Sequence, residues 1–316
     1  QGFDVYENSY EDAEAKINKV NNFLSNYRGN KPLFIWIHIL DPHAPYSPWE
    51  KYLKIFENDR LYKENDKILK LNPNKAISPF TSEGCIPRIV YHEGKYNFNH
   101  YIACYDSEIR NTDFYIGRLL DRLEENTLIV LSSDHGEFLG EHGIYFDHGV
   151  NLYDEMLHLP LIIKDSDFFT GGKRIEKAVS SIDIVPTILN RINPVWYFLN
   201  KHKLEGKDLK RIVEGNDAGR GYVYSYSPSE WSICDTRKKV KYIFHENTEE
   251  ELYILPDEDN NLINDNTLQI SLTREELRKS LNTWLEDYPI YADINPKKID
   301  LGEDEQEILR SLGYLQ

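Results

Sequence analysis

The run Asp134-His135-Gly136-Glu137 sets a carboxylate beside an imidazole, followed by a glycine that lets the chain turn. A carboxylate oxygen and an imidazole nitrogen aimed the same way can share one divalent cation. Without context, the plainer reading of such a tripeptide is a turn in which Asp134 caps a following helix. A second imidazole, His43, stands in Asp41-Pro42-His43-Ala44-Pro45-Tyr46, where two prolines restrict the loop. There it could bind an anion or protonate a leaving group. Gly140-Glu141-His142-Gly143 and Asp147-His148-Gly149 follow Asp134 closely. Of their two histidines, His148 is expected to return to a metal-bound substrate and His142 to be structural. His38 and His158 read as satisfied core or edge histidines. His92, His100, His202 and His245 carry no functional expectation. Ser132 and Ser133 sit beside His135, yet no Gly-x-Ser-x-Gly elbow is present, so a serine hydrolase is a poor reading.

The elements that must position these residues show in the hydrophobic period. Ala13, Ile17, Val20 and Leu24 predict a helix over 10–27, and Ile102, Tyr105, Ile109, Ile116, Leu119 and Leu123 predict another over 100–124. Residues 33–40, LFIWIHIL, read as a strand buried on both faces that ends in the proline-laced loop of His43. Residues 127–131 read as a buried strand breaking into Ser132-Ser133-Asp134. His43 and Asp134 would then both stand at the carboxyl ends of strands, the edge where open α/β sheets bind ligands. Residues 159–163 suggest a further buried strand, 181–192 a short helix and 221–226 another strand. The polar, irregular stretch 50–98 suggests a surface excursion carrying little core. Beyond about 235, short alternating segments and a helix over 273–287 suggest a small antiparallel subdomain. The expectation is an α/β core over 1–230 and an α+β subdomain over 231–316.

Composition bounds the function. A chain of 316 residues, 40% hydrophobic and 28% charged, has ample material for a packed core. Its 37 basic against 53 acidic residues give a net charge of −16, which disfavours nucleic acid as a partner, so an anionic small substrate would need a local positive site. No apolar run approaches the length of a membrane span. Cys85, Cys104 and Cys234 are odd in number and widely spaced, which argues against a disulfide framework or a cysteine-based zinc site. Free cysteines lean toward a reducing, cytoplasmic setting. The N-terminal text, QGFDVYENSYEDAEAK, leaves export open, since a removed signal peptide would not show.

Taken in order, KPLFIWIHILDPHAPYSP, YIACYDSEIRNTDFYIGRLLDRL, TLIVLSSDHGEFLGEHGIYFDHGVNLYDEMLHLPLII and SSIDIVPTIL resemble the sulfatase family of the alkaline phosphatase superfamily. The resemblance continues through LEGKDLKRIVEG, RKKVKYIF and ELYILPDEDNNLIND to EILRSLGYL. It implies an alkaline-phosphatase-like α/β/α sandwich core, incomplete at its N-terminal side, with a small C-terminal α+β subdomain. It also implies one divalent metal. Asp134 and His135 match the family's metal-binding acid and the Asn or His after it, His43 matches a substrate-contacting histidine, and His148, fourteen residues after Asp134, matches a sulfate-contacting position. The imidazole nitrogen taken alone favours zinc or manganese over calcium. The family precedent keeps calcium first, with magnesium, manganese and zinc behind it.

The departure from the family lies in the nucleophile, a Cys or Ser in Cys/Ser-x-Pro-x-Arg matured to formylglycine. Cys85-Ile86-Pro87-Arg88 has its arginine one residue too close and stands after the His43 segment instead of before it, so it reads as a decoy. The expected reaction is hydrolysis of a small-molecule or glycan sulfate ester, with formylglycine supplied by an N-terminal segment missing here. This chain by itself is not expected to turn over. Rival readings are a phosphodiester or phosphonate monoester hydrolase of the same superfamily, a non-catalytic remnant, or one half of a split enzyme. The sequence leaves the particular ester and the oligomeric state open.

Overall fold

The computed structural model describes residues 2–7, 9, 11–64, 66–72, 84–149, 151–169 and 171–289. These form two compact units, one of residues 2–124 and 137–149 and one of 125–136 and 151–289.

The first unit is built on three helices, α1 (Ala13–Asn26), α2 (Glu50–Asn58) and α3 (Phe98–Leu120). Both α1 and α3 fall where the period of three to four residues places them. Asp12 caps α1 by accepting from the Ala15 amide at 2.8 Å, and the Asp41 carboxylate accepts from the Ala13 amide at 2.9 Å. The loop that carries His43 is thereby fastened to the start of α1. Ala13 and Ile17 of α1 pack with Tyr115 and Leu119 of α3, and Ile37 and Ile39 lie against this cluster. A second cluster gathers Tyr46, Leu69, Ile86, Val90, Tyr101, Cys104 and Phe146. Each large side chain buried this way contributes about 1.5–3 kcal/mol.

Two expectations fail in this unit. Residues 50–98 do carry core, because Leu69, Ile86 and Val90 are buried; they stand in apolar runs too short to show a period. Residues 73–83 of that stretch lie outside the described residues. The run 33–40 forms no regular element and belongs to no ladder among the described residues, and Phe34 and Trp36 are 63% and 74% exposed. Burial on both faces belongs to a sheet with flanking strands and covering helices, and an apolar run cannot supply those by itself.

In the second unit, Ile129–Ser132 pairs antiparallel with Leu161–Lys164, Ile129 facing Lys164 and Ser132 facing Leu161. Neither strand is buried as expected, and Ile162 is exposed. A capping box between Ser180 and Asp183 opens the helical stretch that continues as Ile184–Ile192. Farther on, a four-stranded antiparallel sheet has the order Glu250–Ile254, Val240–His245, Glu230–Asp235, Tyr222–Tyr226. Helix Leu268–Asp287 covers it through Leu277 and Leu281, with the Trp284 ring stacked on Tyr224 at 4.8 Å.

Candidate functional site

In the first unit, His43 and His148 come together with ring centroids 4.6 Å apart, edge to face. The His43 amide donates to the Leu40 carbonyl at 2.7 Å, which closes a tight turn. Its Nδ1 donates to the Ala44 carbonyl at 2.6 Å, which leaves the lone pair on Nε2. His148 follows strand Tyr145–Asp147, and its amide donates to Asp147 Oδ1 at 2.9 Å. The strand holds Phe146 at φ 53°, a left-handed conformation that costs a side-chain-bearing residue roughly 1–2 kcal/mol. Burial of the Phe146 ring against Tyr46, Phe98 and Tyr101 offsets that cost.

A carboxylate stands behind the pair. Glu137 Oε2 lies 3.4 Å from His148 Nδ1, and the Glu137 side chain is 5% exposed. The buried Tyr46 hydroxyl donates to Glu137 Oε1 at 2.7 Å, and burial next to that carboxylate pushes the phenol well above its ordinary range. A carboxylate held this way can orient an imidazole and stabilise its protonated form, as in proton-transferring histidine–acid pairs. Two further acids lie in the same unit. Burial pushes Glu108 of α3 up to about 8, with the Ser47 amide donating to it and Asp41 and Glu137 adding like charge. Burial also raises Asp41, against the pull of the Ala13 amide. Glu108 therefore keeps its proton at neutral pH, as a buried carboxyl does when no cation offsets its desolvation.

Asp134 and His135 lie in the second unit, just past strand Ile129–Ser132. The His135 amide donates to Asp134 Oδ1 at 3.0 Å, and His135 Nδ1 donates to the Gly136 carbonyl at 2.9 Å. The proton on Nδ1 places the lone pair on Nε2, which is 3.9 Å from Asp134 Oδ1. Two bonds of about 2.3 Å can span that separation, so one hard or borderline cation fits both atoms. Gly136 is required at this turn, since a Cβ there would come within 1.8 Å of the Glu155 carbonyl oxygen. Asp134 also lines a broad cleft of the second unit, together with Ser132, His158 and Lys164. Lys164 is engaged there with the Glu125 carbonyl at 2.9 Å.

The mixed α/β architecture is that of the alkaline phosphatase superfamily. It matches a phosphonate monoester hydrolase from Silicibacter pomeroyi with a TM-score of 0.63 at 18% identity, over 88% of this chain and 61% of that one. A family model for sulfatases matches residues 4–193, and the chain belongs to the sulfatase family. It is 28% identical to the Escherichia coli K12 sulfatase YidJ, over 82% of this chain and 52% of the relative. To an arylsulfatase of Clostridium perfringens it is 26% identical, over 90% of this chain and 60% of the relative. The chain thus spans between half and two thirds of the length of these curated relatives.

The sequence reading missed Glu137 and Tyr46 as supporting groups, although both stand in the very motifs that carry the histidines. Glu137 ends Asp-His-Gly-Glu, and Tyr46 ends the proline-laced segment of His43. Cys85 takes part in a short parallel pairing with Lys70, in strand Cys85–Ile86.

Proposed function

We propose that this chain is the metal-binding and ester-holding part of a sulfuric ester hydrolase that cleaves a sulfate monoester. The formylglycine nucleophile would come from a Cys/Ser-x-Pro-x-Arg segment outside this sequence. The observation that carries the reading is the meeting of His43 and His148, far apart in sequence, in front of a buried Glu137. Once Nε2 is protonated, His43 donates to an ester oxygen beside His148, and one of the two passes a proton to the leaving alcohol. Glu137 orients the His148 ring, and Tyr46 fixes Glu137. In the second unit, Asp134 and His135 would hold one divalent cation, calcium first, which when bound supplies positive charge for an anionic ester. The substrate is a small-molecule or glycan sulfate.

The test uses the complete protein, with matched aryl sulfate, aryl phosphodiester and aryl phosphonate substrates and calcium supplied. Sulfate hydrolysis with the highest kcat/KM, abolished by a chelator and restored by calcium, is the expected result. Preference for the phosphonate or the phosphodiester would move the protein to the neighbouring hydrolase class. Absence of turnover on all three would overturn the catalytic reading.

A further inference from the structure

We propose that His92, His100 and Cys104 form a metal site separate from Asp134 and His135, suited to a borderline-soft transition-metal ion, zinc first. Their ligand atoms lie within 4.8 Å of one another. His100 and Cys104 are one turn apart on α3, so their side chains share a face. His92 comes from the turn before α3, and the buried Tyr101 fixes that turn. The Tyr101 hydroxyl accepts from the His92 amide at 3.1 Å and donates to the Lys95 carbonyl at 2.9 Å.

Proton accounting decides what belongs between the rings. His92 Nδ1 and His100 Nε2 meet at 2.9 Å. On the far side of each ring stands an acceptor: the Tyr46 carbonyl, 2.7 Å from His92 Nε2, and the Glu57 carboxylate, 3.0 Å from His100 Nδ1. Each acceptor draws a proton to the outer nitrogen and leaves a lone pair on the inner one. Two neutral rings would therefore aim lone pairs at each other, which is repulsive unless a cation lies between them.

Cys104 favours a metal ion over a shared proton. Its Sγ is 3.6 Å from His100 Nε2 and 4.0 Å from His92 Nδ1. A tetrahedral zinc, with bonds of about 2.3 Å to sulfur and about 2.0–2.1 Å to nitrogen, sets sulfur and nitrogen roughly 3.6 Å apart and two nitrogens roughly 3.3 Å apart. Adjustments of a few tenths of an ångström bring all three atoms to that geometry. A carboxylate behind one imidazole and a backbone carbonyl behind the other is the outer arrangement that metal-binding histidines use. The fourth position falls to water or a small anion.

The site also reaches the histidine pair of the same unit. Tyr46 takes the His92 proton on its carbonyl and holds Glu137 with its hydroxyl. A metal here would hold the backbone that carries His43 and Glu137's anchor, so its role is structural.

The test is anaerobic titration of the complete, metal-stripped protein with cobalt(II), read by the thiolate-to-cobalt charge-transfer band, followed by zinc competition. One equivalent should produce the band. It should disappear in Cys104→Ser and His92→Gln and persist in Cys85→Ser, Cys234→Ser and Asp134→Asn. Glu57→Gln, which touches no metal and keeps the fold, should weaken zinc binding roughly 10- to 100-fold. Absence of the band in the wild type, its survival in Cys104→Ser, or its loss in Asp134→Asn would overturn the proposal. Because the readout is spectroscopic, it stands or falls independently of sulfate hydrolysis.

Discussion

Two histidines backed by carboxylates differ in what their surroundings allow. In the sheet of the second unit, His245 has Glu251 2.7 Å from Nε2 and Glu230 3.2 Å from Nδ1. These two acids push it up to about 10, so it stays a cation at neutral pH. His148 has the Glu137 carboxylate at the longer distance of 3.4 Å from Nδ1, and the ring of His43 beside it. A histidine clamped by acids on both nitrogens works as a permanent positive charge that ties three strands together. An imidazole with a second imidazole beside it can exchange its proton. The distance of the acid and the neighbouring ring distinguish the two better than burial does, since the side chains are 18% and 13% exposed.

The comparison can be broken most strongly at His148. His148→Ala in the complete enzyme should lower kcat/KM roughly 10²- to 10⁴-fold. An unchanged kcat/KM would remove it from the site. His245→Gln should do the reverse, costing about 3 kcal/mol in urea unfolding because two buried carboxylates lose their cation, with kcat/KM preserved. The pH dependence sharpens this. A histidine raised from 6.5 to about 10 contributes stability that is full below pH 6.5 and is lost as pH rises through about 10. His245→Gln should flatten that decline.

Glu108 sets a second, lower window. Its folded value of about 8 against an ordinary 4.5 means stability is full below pH 4.5 and lost as pH rises through about 8. Glu108→Gln should recover at least about 1.4 kcal/mol at pH 9 relative to wild type, the equivalent of one pKa unit. The smallest expected effect is Tyr46→Phe, which removes the hydroxyl from Glu137. A loss of about 0.5–1.5 kcal/mol in stability should accompany a shift in the pH profile of kcat, and an unmoved profile would mean that Glu137 needs no anchor.

How far the sequence revealed this structure depended on whether the cause was local. Helices α1 and α3 follow from spacing within one segment, and both were legible. The strand expected to be buried over 33–40 is exposed and outside any ladder among the described residues, since burial depends on neighbours that the run does not encode. Among the candidate site residues, His43, His148, Asp134 and His135 stand out by type and motif. Glu137 acts through a contact with Tyr46 that joins distant segments. The clamp on His245 was invisible because its acids come from two other strands. The His100 and Cys104 spacing of one helical turn was in plain view, but counting cysteines in pairs hid it.

The run at 33–40 has a practical side. It contains no proline, a single ionisable side chain and several residues of high strand propensity, with Phe34 and Trp36 turned to water. Such a segment is a template on which another chain can add itself as a strand, so concentrated protein should self-associate through it first. The same segment carries its own gauge. Trp36 is the most exposed of the five tryptophans, and its emission will shift to shorter wavelength whenever a neighbouring strand, native or foreign, covers it.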